Sequence, residues 1–221
     1  MEEIMVVPAE LERVANNVSA FRREMKDYLS AFGECYDKFT ITEKDTFLGY
    51  VSETAIIDYL DREYGDIIDI HRWSDRFDFG RIQYAVLNHL NDCKEIEYVR
   101  DYFYDKYDLE IVEKKTRRSI YIDVKTAETS KQPQATWDFL YPVVQNNRGG
   151  KDCVILCYYY KRENSKRIIL IGYIKEDEIS QKKILRAGTR TEFGTINQID
   201  NFETKVTDYK PLSQMLGYYY G

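Results

Sequence analysis

Asp123 and Lys125 are the residues of this chain whose types and spacing best suit chemistry. They lie at the end of the apolar run Ser119-Ile-Tyr-Ile-Asp-Val-Lys-Thr, which predicts a buried strand. Side chains at i and i+2 of a strand point to the same face, so the carboxylate and the ammonium are expected side by side. Because burying two charges is costly, the pair indicates a site, with an acid for a hard cation and a lysine for a water.

Acid-x-lysine triplets arise easily in a chain in which 32% of the residues are charged. Others are Glu24-Met-Lys26, Glu113-Lys-Lys115, Glu203-Thr-Lys205 and Asp208-Tyr-Lys210. The first lies on a predicted helix, where i and i+2 do not face each other, and the rest lie in polar, turn-rich segments. The triplet that ends at Lys125 differs from these because an apolar strand leads into it.

A second short strand, predicted over 107–112, precedes the polar segment 113–118, so the two strands are expected to form a hairpin. Antiparallel pairing places the start of the first strand beside the end of the second. Asp108 is therefore expected to meet Asp123 and Lys125. Two carboxylates and a lysine are the usual protein contribution to a magnesium site.

At these residues the sequence resembles the PD-(D/E)xK nuclease superfamily, which includes restriction endonucleases, Holliday-junction resolvases and RecB-like exonucleases. Asp108 matches the first acid of the motif, Asp123 the second and Lys125 the lysine. Tyr107 stands where the family name has proline. The resemblance covers residues 49–174 and implies an α/β fold with a restriction-endonuclease-like core, in which helices flank a central mixed β-sheet, here with an N-terminal helical segment.

The resemblance further implies hydrolysis of DNA phosphodiesters with Mg²⁺ or Mn²⁺. Asp108 and Asp123, with a backbone carbonyl near Val124, would bind one or two ions. Lys125 would orient or help deprotonate the attacking water and stabilise charge on the phosphorane. Glu53, near the start of a helical pattern upstream of the hairpin, matches a glutamate that completes the metal site in resolvase-like members; taken alone it is an ordinary exposed helix residue.

Three alternatives stay open. The chain could be a catalytically inactive nuclease-fold module that binds DNA or a protein partner. It could belong to another enzyme class in which the hairpin acids are surface residues, although no motif supports this. If the strand placement is shifted, Asp75 or Asp78 replaces Asp108 as the first ligand.

Apolar periodicity predicts the elements around the site. Helices are expected over about 8–37, 49–65 and 81–90, and strands over 153–160 and 167–174 around a turn at 161–165. Trp137, Leu140 and Tyr141 share the face of a further helix expected within 132–142. Gln134 in this segment is a possible accessory residue by analogy with the RecB-like Q-x-x-x-Y motif, but Asp138 occupies the tyrosine position.

Length and composition agree with a single domain over 1–221. The resemblance implies that it is a nuclease domain with an N-terminal helical segment (1–45), a catalytic core (46–175) and a C-terminal segment (176–221). We find no signal-peptide pattern and no bilayer-length apolar run, so we expect a cytoplasmic protein with no membrane partner, in the host cytoplasm if its origin is a virus or a mobile element. The four cysteines lack the close spacing of iron-sulfur or zinc sites and are interpreted as buried free thiols.

A net charge of −6 does not exclude DNA as a partner, because phosphate binding depends on local basic patches. Three candidate patches are Lys114, Lys115, Arg117 and Arg118; Lys161, Arg162, Lys166 and Arg167; and Lys182, Lys183, Arg186 and Arg190. Each is alternatively a solvated turn. The apolar stripe of the N-terminal helix packs on the core or on a second subunit. Because one active site per chain must cut two strands, we expect a homodimer or a dimer of dimers.

Overall fold

The computed structural model describes residues 1–33, 42–146, 150–162, 165–191, 194 and 196–220. Its strands are β1 (Glu2–Val6), β2 (Ile68–Arg72), β3 (Leu109–Glu113), β4 (Ser119–Thr129), β5 (Asp138–Pro142), β6 (Cys153–Arg162), β7 (Ser165–Lys175), β8 (Ile184–Leu185) and β9 (Asn201–Lys205). Its α-helices are α1 (Ala9–Ala31), α2 (Glu43–Tyr64), α3 (Phe79–Leu87), α4 (Cys93–Phe103), α5 (Val143–Asn146), α6 (Glu176–Ser180) and α7 (Leu212–Tyr220). Short 3-10 turns lie at Trp73–Arg76 and Val206–Asp208.

Six strands form the main sheet in the order β1-β7-β6-β4-β3-β2. β4 and β6 run parallel, and the other neighbours are antiparallel. The sheet is therefore mixed, and helices cover it, which confirms the predicted α/β class. The expected hairpin is β3–β4, with Leu109 opposite Ile122. The strands expected over 153–160 and 167–174 are β6 and β7, and residues 163–164 of their turn lie outside the described residues.

Each face of the main sheet packs on a different layer. One face lies against α1, α2 and α7, where Ile122 and Val124 of β4 are buried with Ile56 of α2. The other face lies against the three-stranded sheet β5-β9-β8, where Leu156 of β6 is buried with Tyr141 of β5. Side chains alternate between the faces of a strand. Asp123 and Lys125 consequently point toward the layer that contains Tyr141, opposite to Val124.

The apolar stripe of α1 is used within the chain. Ala15 packs in the cluster with α2, while Met25, Tyr28 and Leu29 pack against α3 and α4. Residues 34–41, which include Cys35 and the expected end of this helix, lie outside the described residues. Of the two expectations for the stripe, packing on the chain's own core is the one observed.

The helix α2 positions Glu53. It begins six residues before the expected start, because Thr42 and Asp45 form a reciprocal capping box that supplies partners for free N–H groups. Ala55, Ile56, Tyr59 and Leu60 are buried on one face as predicted. In the part of the chain that the structure describes, neither α2 nor any other helix has the length and apolar content needed to span a bilayer.

The prediction of a helix within 132–142 is wrong. Residues 138–142 form β5, which pairs antiparallel with β9, and Tyr141 lies opposite Phe202. The helical spacing of Trp137, Leu140 and Tyr141 is local, whereas the pairing that decides their conformation comes from a segment about sixty residues later. The parallel crossover from β4 to β6 is therefore made by β5 and the four-residue helix α5, not by the helix expected within 132–142.

Candidate active site

The β3–β4 hairpin brings Asp108 to Asp123 and Lys125 as the strand register predicts. Asp108 precedes β3, and its N–H donates to the carbonyl of Ile122 at 2.9 Å. Its Oδ2 accepts a hydrogen bond from the backbone N–H of Val124 at 2.5 Å. Asp108 is thus held against the peptide unit that lies between Asp123 and Lys125.

Three donors surround the Asp123 carboxylate, whose side chain is 4% exposed. Lys125 Nζ lies 2.8 Å from Oδ2, and Lys151 Nζ lies 2.7 Å from Oδ1. The Tyr141 hydroxyl donates to Oδ2 at 3.1 Å. Burial opposes charging of Asp123, but the two ammonium groups prevail and lower its pKa to about 2. Asp123 is therefore an ionised, fully engaged carboxylate.

Asp108 has the opposite electrostatic character. Burial first, and then the nearby Asp123 charge, raise its pKa well above the usual value, and Lys125 offsets this only in part. The two acids of the motif thus differ in their pKa values. Lys125 and Lys151 contact the carboxylate of Asp123, whereas the carboxylate of Asp108 accepts a hydrogen bond from a backbone N–H. Lys125 keeps its proton, since the charges of Asp123 and Asp108 raise its pKa despite burial.

Glu53 lies in the same electrostatic environment without touching the two aspartates. Its carboxylate is 20% exposed and lies 3.5 Å from Arg72 Nε. Burial raises the pKa of Glu53 to about 7 against the attraction of Arg72. The charge of Asp105 raises it further, and that of Lys125 lowers it. Glu53 is thus a half-buried helix carboxylate paired with an arginine, and not the exposed residue that its position alone suggests.

The remaining site predictions have different outcomes. Val124 meets Asp108 through its amide N–H, and its side chain is buried on the other face. Gln134 is exposed in the turn before β5, where its carbonyl accepts the N–H of Trp137 at 3.1 Å, and no hydrogen bond among the described residues joins it to the site. Asp75 and Asp78 cap the 3-10 turn and α3, so neither displaces Asp108.

Sequence reasoning missed Lys151, Tyr141 and Asp105. Lys151 lies two residues before β6, the strand that runs parallel to β4, so a lysine close to the start of an apolar strand is the available signal. Tyr141 was assigned to a helix, which hid its contact with Asp123. Asp105 lies 3.5 Å from Arg22, and its charge raises the pKa values of both Glu53 and Asp108.

The donor set suits a hard cation but is not a preformed cluster. Among the described residues, no three side chains of His, Cys, Asp and Glu converge as metal ligands do. Mg²⁺ is commonly held by only one or two carboxylates, with water and substrate phosphate supplying the rest. Asp108 and Asp123 can provide those two carboxylates, provided that the lysines release an oxygen of Asp123.

Most basic residues of the candidate DNA patches form ion pairs within the chain. Lys114 and Arg117 lie within 3.6 Å and 3.3 Å of Asp69, and Lys161 lies 2.8 Å from Glu128. Further ion pairs are Lys166–Glu12, Arg167–Glu3, Lys182–Asp208, Lys183–Glu203 and Arg186–Asp200. These ion pairs weaken the positive potential that each patch presents to a phosphate.

Three of the cysteines, Cys93, Cys153 and Cys157, lie within the described residues. Cys153 and Cys157 are buried free thiols in β6, as expected. Cys93, at the first position of α4, is exposed, which corrects its assignment as a buried thiol. The start of an amphipathic helix faces water, whereas the middle of a central strand does not.

In comparisons with known proteins, no protein-family model and no curated protein matches the chain.

Proposed function

We propose that this protein is a metal-dependent DNA nuclease of the PD-(D/E)xK type, which hydrolyses phosphodiester bonds with Mg²⁺ or Mn²⁺. The observation that carries the proposal is the convergence of Asp108, Asp123 and Lys125 at the β3–β4 pair, where a half-buried carboxylate and a half-buried ammonium meet the buried carboxylate of Asp123. The pKa of Asp108 is raised and only partly offset by Lys125, and carboxyl groups with such shifts cluster at functional sites.

Each residue has a role that follows from its contacts. Asp108 and Asp123 supply the carboxylates for the ion, and Glu53 adds negative charge beside them. Lys125 remains an ammonium, so it orients the attacking water and stabilises negative charge on the phosphorane better than it accepts a proton. When bound, the ion polarises the phosphoryl oxygen and makes its bound water more acidic.

The test is cleavage of linear, branched and single-stranded DNA by the purified protein in different ions. We expect cleavage in Mg²⁺ or Mn²⁺, none in EDTA, and binding without efficient cleavage in Ca²⁺, whose larger and more flexible shell holds carboxylates without the compact octahedral geometry. Robust cleavage in EDTA would contradict the proposed mechanism.

A second candidate is a nuclease-fold module that binds DNA or a protein without cutting. The observation that favours it is the pairing of both Asp123 oxygens with lysines, which neutralises this carboxylate without any ion. This candidate predicts DNA or protein binding that is insensitive to Mg²⁺, and no cleavage of any of the three DNA substrates.

The proposal includes DNA as partner, a cytoplasmic location and a homodimer or dimer of dimers. A two-fold dimer brings one active site to each strand of a duplex. The α1 stripe is buried within the chain, so a dimer must use another surface. Light scattering at micromolar concentration tests the oligomeric state, and an active monomer would indicate nicking or exonuclease action instead.

A further inference from the structure

Lys151 is a nearly buried lysine that neither the motif nor the proposed mechanism uses. Its side chain is 9% exposed, and its ammonium lies 2.7 Å from Asp123 Oδ1. Lys125 and Tyr141 both engage the other oxygen, Oδ2. Lys151 therefore occupies the oxygen of Asp123 that Lys125 and Tyr141 leave free, so a cation bound at Oδ1 would have to displace it.

Glu176, at the start of α6, lies beside Lys151 and offers it a second partner. Its backbone N–H donates to the carbonyl of Asp152, the residue after Lys151, at 3.1 Å. Its Oε1 is shielded from solvent and accepts no hydrogen bond from the described residues. Burial raises the pKa of Glu176, and the nearby Lys151 ammonium opposes this rise. A shielded acceptor without a hydrogen bond, close to an ammonium, is a group that still lacks a partner.

We propose that Lys151 is a positioning residue that holds Oδ1 of Asp123 in the ion-free protein and transfers its ammonium to Glu176 when Asp123 binds a divalent cation. This inference rests on the proposed metal-dependent function. In the ion-free state Lys151 compensates a carboxylate that would otherwise be buried with only one ammonium. In the ion-bound state Glu176 keeps the displaced ammonium paired, so Asp123 is released at a smaller cost.

The proposal makes opposite predictions for Lys151 and for Glu176. Lys151→Met removes the competitor for Oδ1, so the protein should bind Mn²⁺ more tightly, by roughly tenfold for directly coupled charges. Glu176→Gln removes the charged destination of Lys151, so Mn²⁺ binding should weaken. In the double variant Glu176→Gln should no longer weaken Mn²⁺ binding, because there is no displaced ammonium that needs a new partner.

The experiment measures Mn²⁺ affinity by electron paramagnetic resonance or calorimetry in the absence of DNA, with thermal unfolding in EDTA as the second readout. In EDTA, Lys151→Met should unfold at a lower temperature than the wild type. At saturating Mn²⁺ the two proteins should unfold at the same temperature. Matched controls are Lys182→Met, which breaks the 2.7 Å ion pair with Asp208, and Glu178→Gln in the same helix α6, whose partner is Lys210. Both controls should leave Mn²⁺ affinity unchanged.

The outcomes separate this inference from the nuclease proposal. Equal Mn²⁺ affinity in the wild type and Lys151→Met, or a Glu176→Gln effect that persists without Lys151, overturns the exchange and leaves the nuclease proposal standing. If Lys151→Met does not fold, Glu176→Gln decides alone, and unweakened Mn²⁺ binding in that variant overturns the exchange. Absence of Mn²⁺ binding in the wild type and in every variant overturns the metal-dependent function itself.

Discussion

The Oδ2 atom of Asp108 accepts the backbone N–H of Val124 at 2.5 Å, across the β3–β4 pair. This hydrogen bond fixes the first acid of the motif against the residue between the second acid and the lysine. Because side chains alternate, Val124 packs into the helical layer while its neighbours face Tyr141. The backbone N–H of Val124 therefore anchors Asp108, while the side chains of Asp123 and Lys125, on either side of Val124, face the site.

The two aspartates should respond differently to neutralisation. Asp108→Asn keeps an acceptor for the Val124 N–H and removes repulsion with Asp123, so stability in EDTA should be unchanged or raised. Asp123→Asn leaves the half-buried Lys125 and the nearly buried Lys151 without their counter-charge and should lower the free energy of unfolding by roughly 3 kcal/mol. Urea denaturation measures both, and equal stability of the two variants would contradict the observed ion pairing.

Lys125→Ala should separate chemistry from binding. Loss of one electrostatic stabiliser lowers cleavage by roughly a hundredfold, while DNA affinity should survive because remote phosphate contacts supply most of it. Single-turnover cleavage and a filter-binding titration measure the two quantities. Glu113→Gln and Lys115→Ala, from the triplet at the hairpin tip, are the controls, and loss of cleavage in these but not in Lys125→Ala would show that the wrong triplet is assigned.

Gly172 of β7 should not tolerate a side chain. Its φ is +147°, and a Cβ there would lie 2.2 Å from the carbonyl oxygen of Lys210, whose segment pairs with Tyr173. Gly172→Ala should therefore lower the free energy of unfolding by roughly 3 kcal/mol or more, through strain and displaced backbone. Thermal or urea unfolding measures the change.

Gly217→Ala is the matched control for that substitution. Gly217 lies in α7, and a Cβ there meets nothing within 4 Å. Alanine in a helix should stabilise the protein by about 0.5–1 kcal/mol. A similar loss of stability in both variants would contradict the close approach of β7 and Lys210.

Glu12 should give the folded state a pH-dependent contribution. Burial opposes its charge, but Lys166 and Tyr159 donate to it and lower its pKa below the usual value of 4.5. A group with a lowered folded-state pKa stabilises the protein above its unfolded pKa and loses that effect as the pH falls through the folded value. Glu12→Gln should lower the free energy of unfolding by about 1 kcal/mol at pH 7, and by progressively less below pH 4.5.

Unfolding free energies at several pH values measure this effect, with Glu24→Gln as an exposed control on the same helix. If Glu12→Gln lowers the free energy of unfolding by the same amount at pH 7 and at acid pH, the charge of Glu12 does not stabilise the folded state.

The sequence by itself determined the local relationships in this protein. The period of a strand placed Asp123 and Lys125 on one face, and the antiparallel hairpin placed Asp108 beside them, because these rules depend only on residues close along the chain. The buried face of α2 and the strands β6 and β7 followed from apolar patterns in the same way.

Tertiary structure decided what depends on distant segments. β5 is a strand because β9 pairs with it, and that pairing brings the Tyr141 hydroxyl to Asp123. Lys151 reaches Asp123 because β6 runs parallel to β4, a register that no local pattern encodes. The charge state of a buried carboxylate depends on every nearby charge. For that reason the sequence could name the two aspartates, whereas only the folded arrangement distinguishes the compensated Asp123 from the uncompensated Asp108.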